Sequence, residues 1–211
     1  LVSYTVILCM GNGYTCDESN ILSIIDRQLF GEAHLYQKSP IDPEGFVSTL
    51  SAIAHTCIGF SCGKWIIQSH QTENKVLRLF LTGFILMSIG YLLADALPLN
   101  KRIWSPTFVL VTCGAASMSL ATLMYYIDIR NKQKWCRFFI IFGVNPLFLY
   151  VLSEVLAIMM GSTRWKAAAY AAIHSGITDA YLASAVYALV FTLFLGCIGY
   201  PLYLKKIYIK L

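Results

Sequence analysis

The most constraining feature of the chain is a run of about twenty mostly apolar residues between polar ends, the length a helix needs to cross a hydrocarbon core. It opens on Ile41-Asp42-Pro43-Glu44-Gly45-Phe46, passes through Gly59-Phe60-Ser61-Cys62-Gly63 and closes on Lys64. Its head therefore belongs at one membrane surface and Lys64 at the other. The carboxylates at its head suit a helix N-terminus, where they complement free backbone N–H groups. Gly59 and Gly63 share a helical face and are expected to let a neighbouring helix approach closely.

The same pattern recurs. Spans are expected over residues 45–67, 77–97 (interrupted late by Asp95), 104–127, 138–160 and 181–204, the last closing on Lys205-Lys206. Trp104 stands at the mouth of its span, as interfacial aromatics do. Gly143-Val144-Asn145-Pro146 near the start of the fourth of these runs predicts a kink or a broken helix. Residues 1–10 read as the last turns of one more spanning helix, so a preceding part of the protein is expected. Between these runs, 11–44 is polar and holds an amphipathic helix over 19–29, and 161–180 reads as a connection of polar and small residues. The expected fold class is all-α: a polytopic integral membrane helix bundle with about five full spans plus the end of another. Its organisation is 1–10, the end of a transmembrane helix; 11–44, an extracytoplasmic loop with a short helix; and 45–211, a five-helix transmembrane bundle.

Composition agrees. Of 211 residues, 57% are hydrophobic and 13% charged, roughly half the charged fraction of a soluble domain. The net charge of +5 is a topology signal, because no basic run with interleaved aromatics marks a nucleic-acid partner. Lys64, Lys75, Arg78, Arg130, Lys132, Lys134, Arg137, Lys205, Lys206 and Lys210 fall on one side. Arg27, Lys38, Lys101, Arg102, Arg164 and Lys166 fall on the other. The first side is expected to be cytoplasmic, with the C-terminus there and the 11–44 loop outside. Cys57, Cys62, Cys113 and Cys197 lie in apolar runs and read as small hydrophobes, and without a CxxC or Cys/His cluster no metal site is expected.

Ionisable groups at membrane depth default to functional candidates. His55 is either a proton relay or ligand, or a neutral histidine bonded to a neighbouring helix. Glu154, one turn after Tyr150, either faces a polar cavity or packs protonated. Asn145 either donates to a substrate or satisfies backbone groups freed by Pro146. At the outer surface His34, Asp42, Glu44, Asn100, Lys101 and Trp104 are expected to gather. Acids, amides and an indole suit a sugar, and they suit a network of loop-tying salt bridges equally. His34 has no Ser or Cys partner, so no nucleophilic triad is arguable.

Several strings carry a resemblance. Ile25-Asp26-Arg27, Gly31 with His34-Leu35-Tyr36, and Asp42-Pro43-Glu44-Gly45 lead to Thr49, Ile53, Gly59, Gly63 and Lys64. Asn100-Lys101, Trp104-Ser105, Gly143 with Asn145, Tyr150-Val151, Glu154-Val155 and Lys205-Lys206-Ile207 follow in order. Together they resemble the heparan-alpha-glucosaminide N-acetyltransferase family, over the C-terminal half of its transmembrane region and in a bacterial-type relative. The resemblance implies an integral-membrane acyltransferase that moves acetyl from cytoplasmic acetyl-CoA to the amino group of a glucosamine-type sugar on the far side. It implies an inner-membrane location, the lipid bilayer, an amino sugar or glycan acceptor and the N-terminal half of the same protein as partners, and it is compatible with a homo-oligomer. The family's catalytic histidine lies upstream of residue 1, so no residue here is assigned as catalytic. His55 departs from the family pattern, which has an apolar residue there. The resemblance assigns His34, Asp42, Glu44, Asn100, Lys101 and Trp104 to the sugar, Lys64 to acetyl-CoA, and Asn145, Tyr150 and Glu154 to the passage between. Some relatives are regarded as N-acetylglucosamine-related transporters, so an amino-sugar carrier without acyl chemistry is the alternative.

Overall fold

The computed structural model describes residues 1–36, 39–177 and 179–209. Lys38 and Lys210, both counted for orientation, lie outside them. Among the described residues every regular element is helical, and the protein is an integral membrane helix bundle. Four helices are long and apolar enough to cross a bilayer, or five if one sharply bent pair counts as a single span. The chain forms two compact units, Leu1–Asn131 and Lys132–Leu211.

The first unit opens with α1 (Val2–Met10) and α2 (Ile21–Phe30), the amphipathic helix expected in the polar loop. Asn20 fixes the start of α2: its Oδ1 accepts from Leu22 N at 2.8 Å, and its Nδ2 donates to the Gly13 and Thr15 carbonyls. Then come α3 (Thr49–Gln68), α4 (Thr72–Leu92) and α5 (Pro106–Met124), which runs on into a π-helical turn over Tyr125–Ile129. Pro106 at the first turn of α5 and Ser105 Oγ accepting from Phe108 N explain the start of that helix. Asp95, expected late in a span, falls in the turn after α4.

Glycines set the α4–α5 packing, but not the pair singled out by spacing. A Cβ at Gly59 or Gly63 would meet nothing within 4 Å in this unit. A Cβ at Gly114 would lie 2.6 Å from both the Gly83 carbonyl and the Met87 amide nitrogen, and one at Gly83 2.7 Å from the Gly114 carbonyl. Here the two backbones touch, and Ser117 Oγ donates across to the Leu79 carbonyl at 2.8 Å. Spacing alone marks which glycines share a face; whether a helix lies against that face depends on the partner.

At the end of the unit where α3 and α5 begin, Tyr4, Leu8, Leu22, Ile41, Val47 and Ile103 form a buried cluster. The Tyr4 hydroxyl donates to the Ile103 carbonyl. This cluster seats the polar loop upon the turn that precedes α5.

In the second unit the helix expected over 138–160 is broken. α6 (Cys136–Val144) and α7 (Pro146–Ser162) meet at 80° across Asn145. Pro146 has no N–H to continue α6 and disfavours helical backbone at the residue before it, so the break falls where proline chemistry puts it. α7 pairs antiparallel with α9 (Ala180–Leu204): Leu149 near its start packs on Gly199, and Gly161 near its end shares a cavity with Ser184 and Tyr187. The 161–180 stretch is not merely a connection. It holds α8 (Trp165–Gly176), whose Ala-rich sequence has the strongest helix propensity available. Polar flanks hid that helix from a reading by hydropathy.

Candidate functional site

The polar loop folds into a groove of about 910 Å³ lined by Asp17, Glu18, Arg27, Glu32, Tyr36 and Asp42, among others. Arg27 holds Glu18 at 3.0 Å and Glu32 at 3.8 Å. The hydroxyl and amide of Ser19 keep the Asp17 carboxyl below its usual range, and the Arg27 guanidinium does the same for Glu18. Asp17 and Glu18 stay ionised, and among the described residues of the wall they and the carboxylates of Glu32 and Asp42 outnumber one guanidinium. Such a groove attracts a cation.

Asp42 is fixed in that wall. Its Oδ2 accepts from Tyr36 N at 3.1 Å and its Oδ1 from Glu44 N at 2.9 Å, so each oxygen retains a lone pair. Neither Asp42 nor Glu44 caps α3, contrary to expectation. The helix starts later, at Thr49 behind Ser48, whose hydroxyl donates to the Gly45 carbonyl at 2.6 Å. The Asp42-Pro43-Glu44-Gly45 string spends its hydrogen bonds on a tight turn ahead of the helix. Glu44 is exposed beside it. His34 ends a short 3₁₀ turn, exposed, with Nδ1 3.0 Å from the Phe30 carbonyl.

Asn100, Lys101 and Trp104 occupy the turn before α5. Asn100 Oδ1 accepts from Arg102 N at 2.9 Å, and Lys101 is exposed. Trp104 has left-handed backbone (φ 51), a cost of about 1–2 kcal/mol for a non-glycine residue, which Ser51 helps to hold by donating to its carbonyl at 2.6 Å. That geometry lays the indole against His55 of α3, ring centroids 5.8 Å apart, and against Phe108 at 5.5 Å. Trp104 Nε1 and His55 Nδ1 are both buried and have no partner among the described residues. Sequence spacing found no partner for His55, because its neighbour comes from a turn 49 residues away in the chain. Lys64 lies near the far end of α3, exposed, with Lys75 and Arg78 at the start of α4.

In the second unit Asn145 is buried, and both ends of its amide serve the backbone beyond α9. Nδ2 donates to the Ile207 carbonyl and Oδ1 accepts from Ile209 N, each at 2.8 Å. Tyr150 and Glu154, one turn apart on α7, are exposed.

The residue whose role sequence reasoning missed is Asp26. It is fully buried; Oδ1 accepts from Phe46 N at 2.8 Å, and Oδ2 has no partner among the described residues. Gly45 presses on that oxygen so closely that any side chain there would collide with it. Burial pushes the Asp26 carboxyl up, the Phe46 N–H opposes the shift, and the nearby Asp42 charge adds to it. The folded loop therefore favours the neutral acid. Stability is full at and below the ordinary value of 3.8 and falls as pH rises from there through the raised pKa. Asp26→Asn is expected to remove this acid-side gain, read as pH-dependent hydrogen exchange in residues 39–48. Asp26→Ala, which strands the Phe46 N–H, is expected to cost about 1–3 kcal/mol at all pH values. A wild-type loop equally protected across the window would contradict the assignment.

In an alignment of 204 residues that covers 89% of the chain, the sequence is 27% identical to heparan-alpha-glucosaminide N-acetyltransferase of Mus musculus. Over the same length it is 28% identical to the Homo sapiens protein of that name. Over most of its own length the chain is thus similar to two heparan-alpha-glucosaminide N-acetyltransferases. It covers 30% of the mouse N-acetyltransferase and 29% of the human one. No protein-family model matches the chain.

Proposed function

We propose that this chain is the C-terminal part of an integral-membrane N-acetyltransferase that takes acetyl from acetyl-CoA at the cytoplasmic face and gives it to the amine of a glucosamine-type sugar on the other side. The observation that carries the reading is the acidic groove with Asp42 fixed in its wall. A protonated amino sugar is a small cation rich in hydroxyls, and a groove lined by carboxylates with a rigid acceptor suits it. Trp104 and its neighbours Asn100 and Lys101 stand at the same end of the unit, bound to the loop through the Ile103 and Ile41 cluster. Trp104 itself does not line the groove, and its Nε1 is buried.

Acyl transfer to an amine needs removal of the ammonium proton and donors for the developing oxyanion. In this reading the residues here bind and orient the acceptor, and the ammonium proton goes to a base supplied by another part of the full-length protein. Lys64, with Lys75 and Arg78 at the opposite end of the α3–α4 pair, supplies cations that suit the phosphates of acetyl-CoA. Asn145, Tyr150 and Glu154 are proposed to line a cavity of the second unit, Asn145 through the backbone it holds.

The test is label transfer in membranes carrying the full-length protein. Acetyl-labelled CoA offered on the cytoplasmic side is expected to yield N-acetylated glucosamine on the far side. Uptake of the sugar with no acetylated product would replace this reading with the carrier.

A further inference from the structure

We propose that the second unit holds a binding site for the phosphate headgroup of an anionic phospholipid, between α7, α8 and α9. A cavity of about 550 Å³ opens where α7 ends, lined by Gly161, Arg164, Lys166, Tyr170, Ser184 and Tyr187. Arg164 and Lys166 have no carboxylate within ion-pair distance among the described residues. The carboxylate that precedes α9, Asp179, is committed to capping that helix through Leu182 N at 2.8 Å. Two cations and three hydroxyl-bearing side chains thus converge on one cavity, with no anion paired to those cations among the described residues.

The lining follows from the local sequence. Lys166, Tyr170 and His174 recur at four-residue intervals, so they form one stripe along α8. Tyr170 stacks on His174 with centroids 5.7 Å apart, and its hydroxyl reaches the Ala180 carbonyl. That contact holds α8 against the start of α9. Arg164 caps α8 in left-handed backbone (φ 60), a conformation disfavoured for a side chain of its size.

The level of the site in the bilayer identifies its ligand. α7 and α9 are both apolar, and the cavity lies where one ends and the other begins. Trp165 and Tyr181 flank it, 70% and 89% exposed. Exposed indole and phenol rings at the ends of apolar helices mark the headgroup layer. A basic pocket between helices at that depth meets lipid phosphates at high local concentration. Charge, hydroxyl donors and depth agree on a phosphodiester whose negative charge no headgroup cation balances, as in phosphatidylglycerol.

The test uses the full-length protein in nanodiscs of phosphatidylcholine alone or mixed with phosphatidylglycerol, with bound lipid read by native mass spectrometry. Wild-type protein is expected to retain phosphatidylglycerol over phosphatidylcholine. Arg164→Gln with Lys166→Gln is expected to weaken that preference by roughly tenfold or more, with Lys205→Gln/Lys206→Gln as the charge-matched control. Tyr187→Phe, which removes one hydroxyl and no charge, is expected to lower retention in a protein of normal thermal stability. No preference in the wild type, or equal loss in the control, overturns the site. Displacement by inorganic phosphate or by a soluble heparan fragment, without dependence on the lipid, shows a different anion and also overturns it.

Discussion

Gly114→Val is expected to abolish most folded protein in the membrane. The position faces Gly83 across the α4–α5 contact, and even a Cβ would come within 2.6 Å of backbone atoms of α4 on two sides. Backbone cannot rotate away as a flexible side chain does, so the helices must separate. Separation breaks the Ser117–Leu79 hydrogen bond and reopens the most extensive helix pair of the unit. Overpacking of this kind costs about 1–3 kcal/mol when the neighbours can shift, and more when they are main chain, against a total stability of roughly 5–15 kcal/mol. Gly59→Val is the comparison. It sits on α3, where an added side chain meets open space in this unit, and is expected to change stability by no more than about 0.5 kcal/mol. Membrane yield and resistance to denaturing detergent measure both in the 211-residue chain. Equal tolerance at the two positions would refute the close approach of α4 to α5.

That contrast shows where the sequence is readable and where it is not. Hydropathy over about twenty residues locates α3, α5 and α9 within a few residues and α4 (Thr72–Leu92) displaced toward the C-terminus by more than a turn, because the bilayer fixes helix length independently of any partner. Asn145-Pro146 foretells the break between α6 and α7, because proline acts through its own ring and its neighbour's backbone. α8 escapes because its signal is helix propensity without an apolar run. Gly59 and Gly83 look alike in sequence; only the fold decides which of them meets a backbone.

The site divides in the same way. The acids of residues 42 and 44 were legible as groups held at one end of a span, and both are there, but the turn takes up their hydrogen bonds where a helix cap was expected. Asp26 lay unread in plain view within Ile25-Asp26-Arg27. Its meaning depends on Gly45 and Phe46, twenty residues on, folding over it. His55 likewise acquires its neighbour, Trp104, only through the left-handed turn ahead of α5.

The central claim is that the acidic groove captures the acceptor amine, and Asp42 is its most direct test. Each of its oxygens serves one backbone N–H and keeps a lone pair for a ligand. Asp42→Asn removes the charge and turns one N–H contact unfavourable, so some loss of folded protein is expected whatever the function. Kinetics separates the two effects. In full-length protein, normalised to folded enzyme, Asp42→Asn is expected to raise the acceptor KM about tenfold or more, the loss of one charge-assisted hydrogen bond. The KM for acetyl-CoA and kcat should hold, and the wild-type dependence of acceptor KM on ionic strength should weaken. Glu44→Gln, whose side chain is exposed beside the turn, should change the acceptor KM less. An Asp42→Asn enzyme that is scarcer but has a normal acceptor KM and an unaltered salt dependence would contradict the assignment of this groove to the sugar.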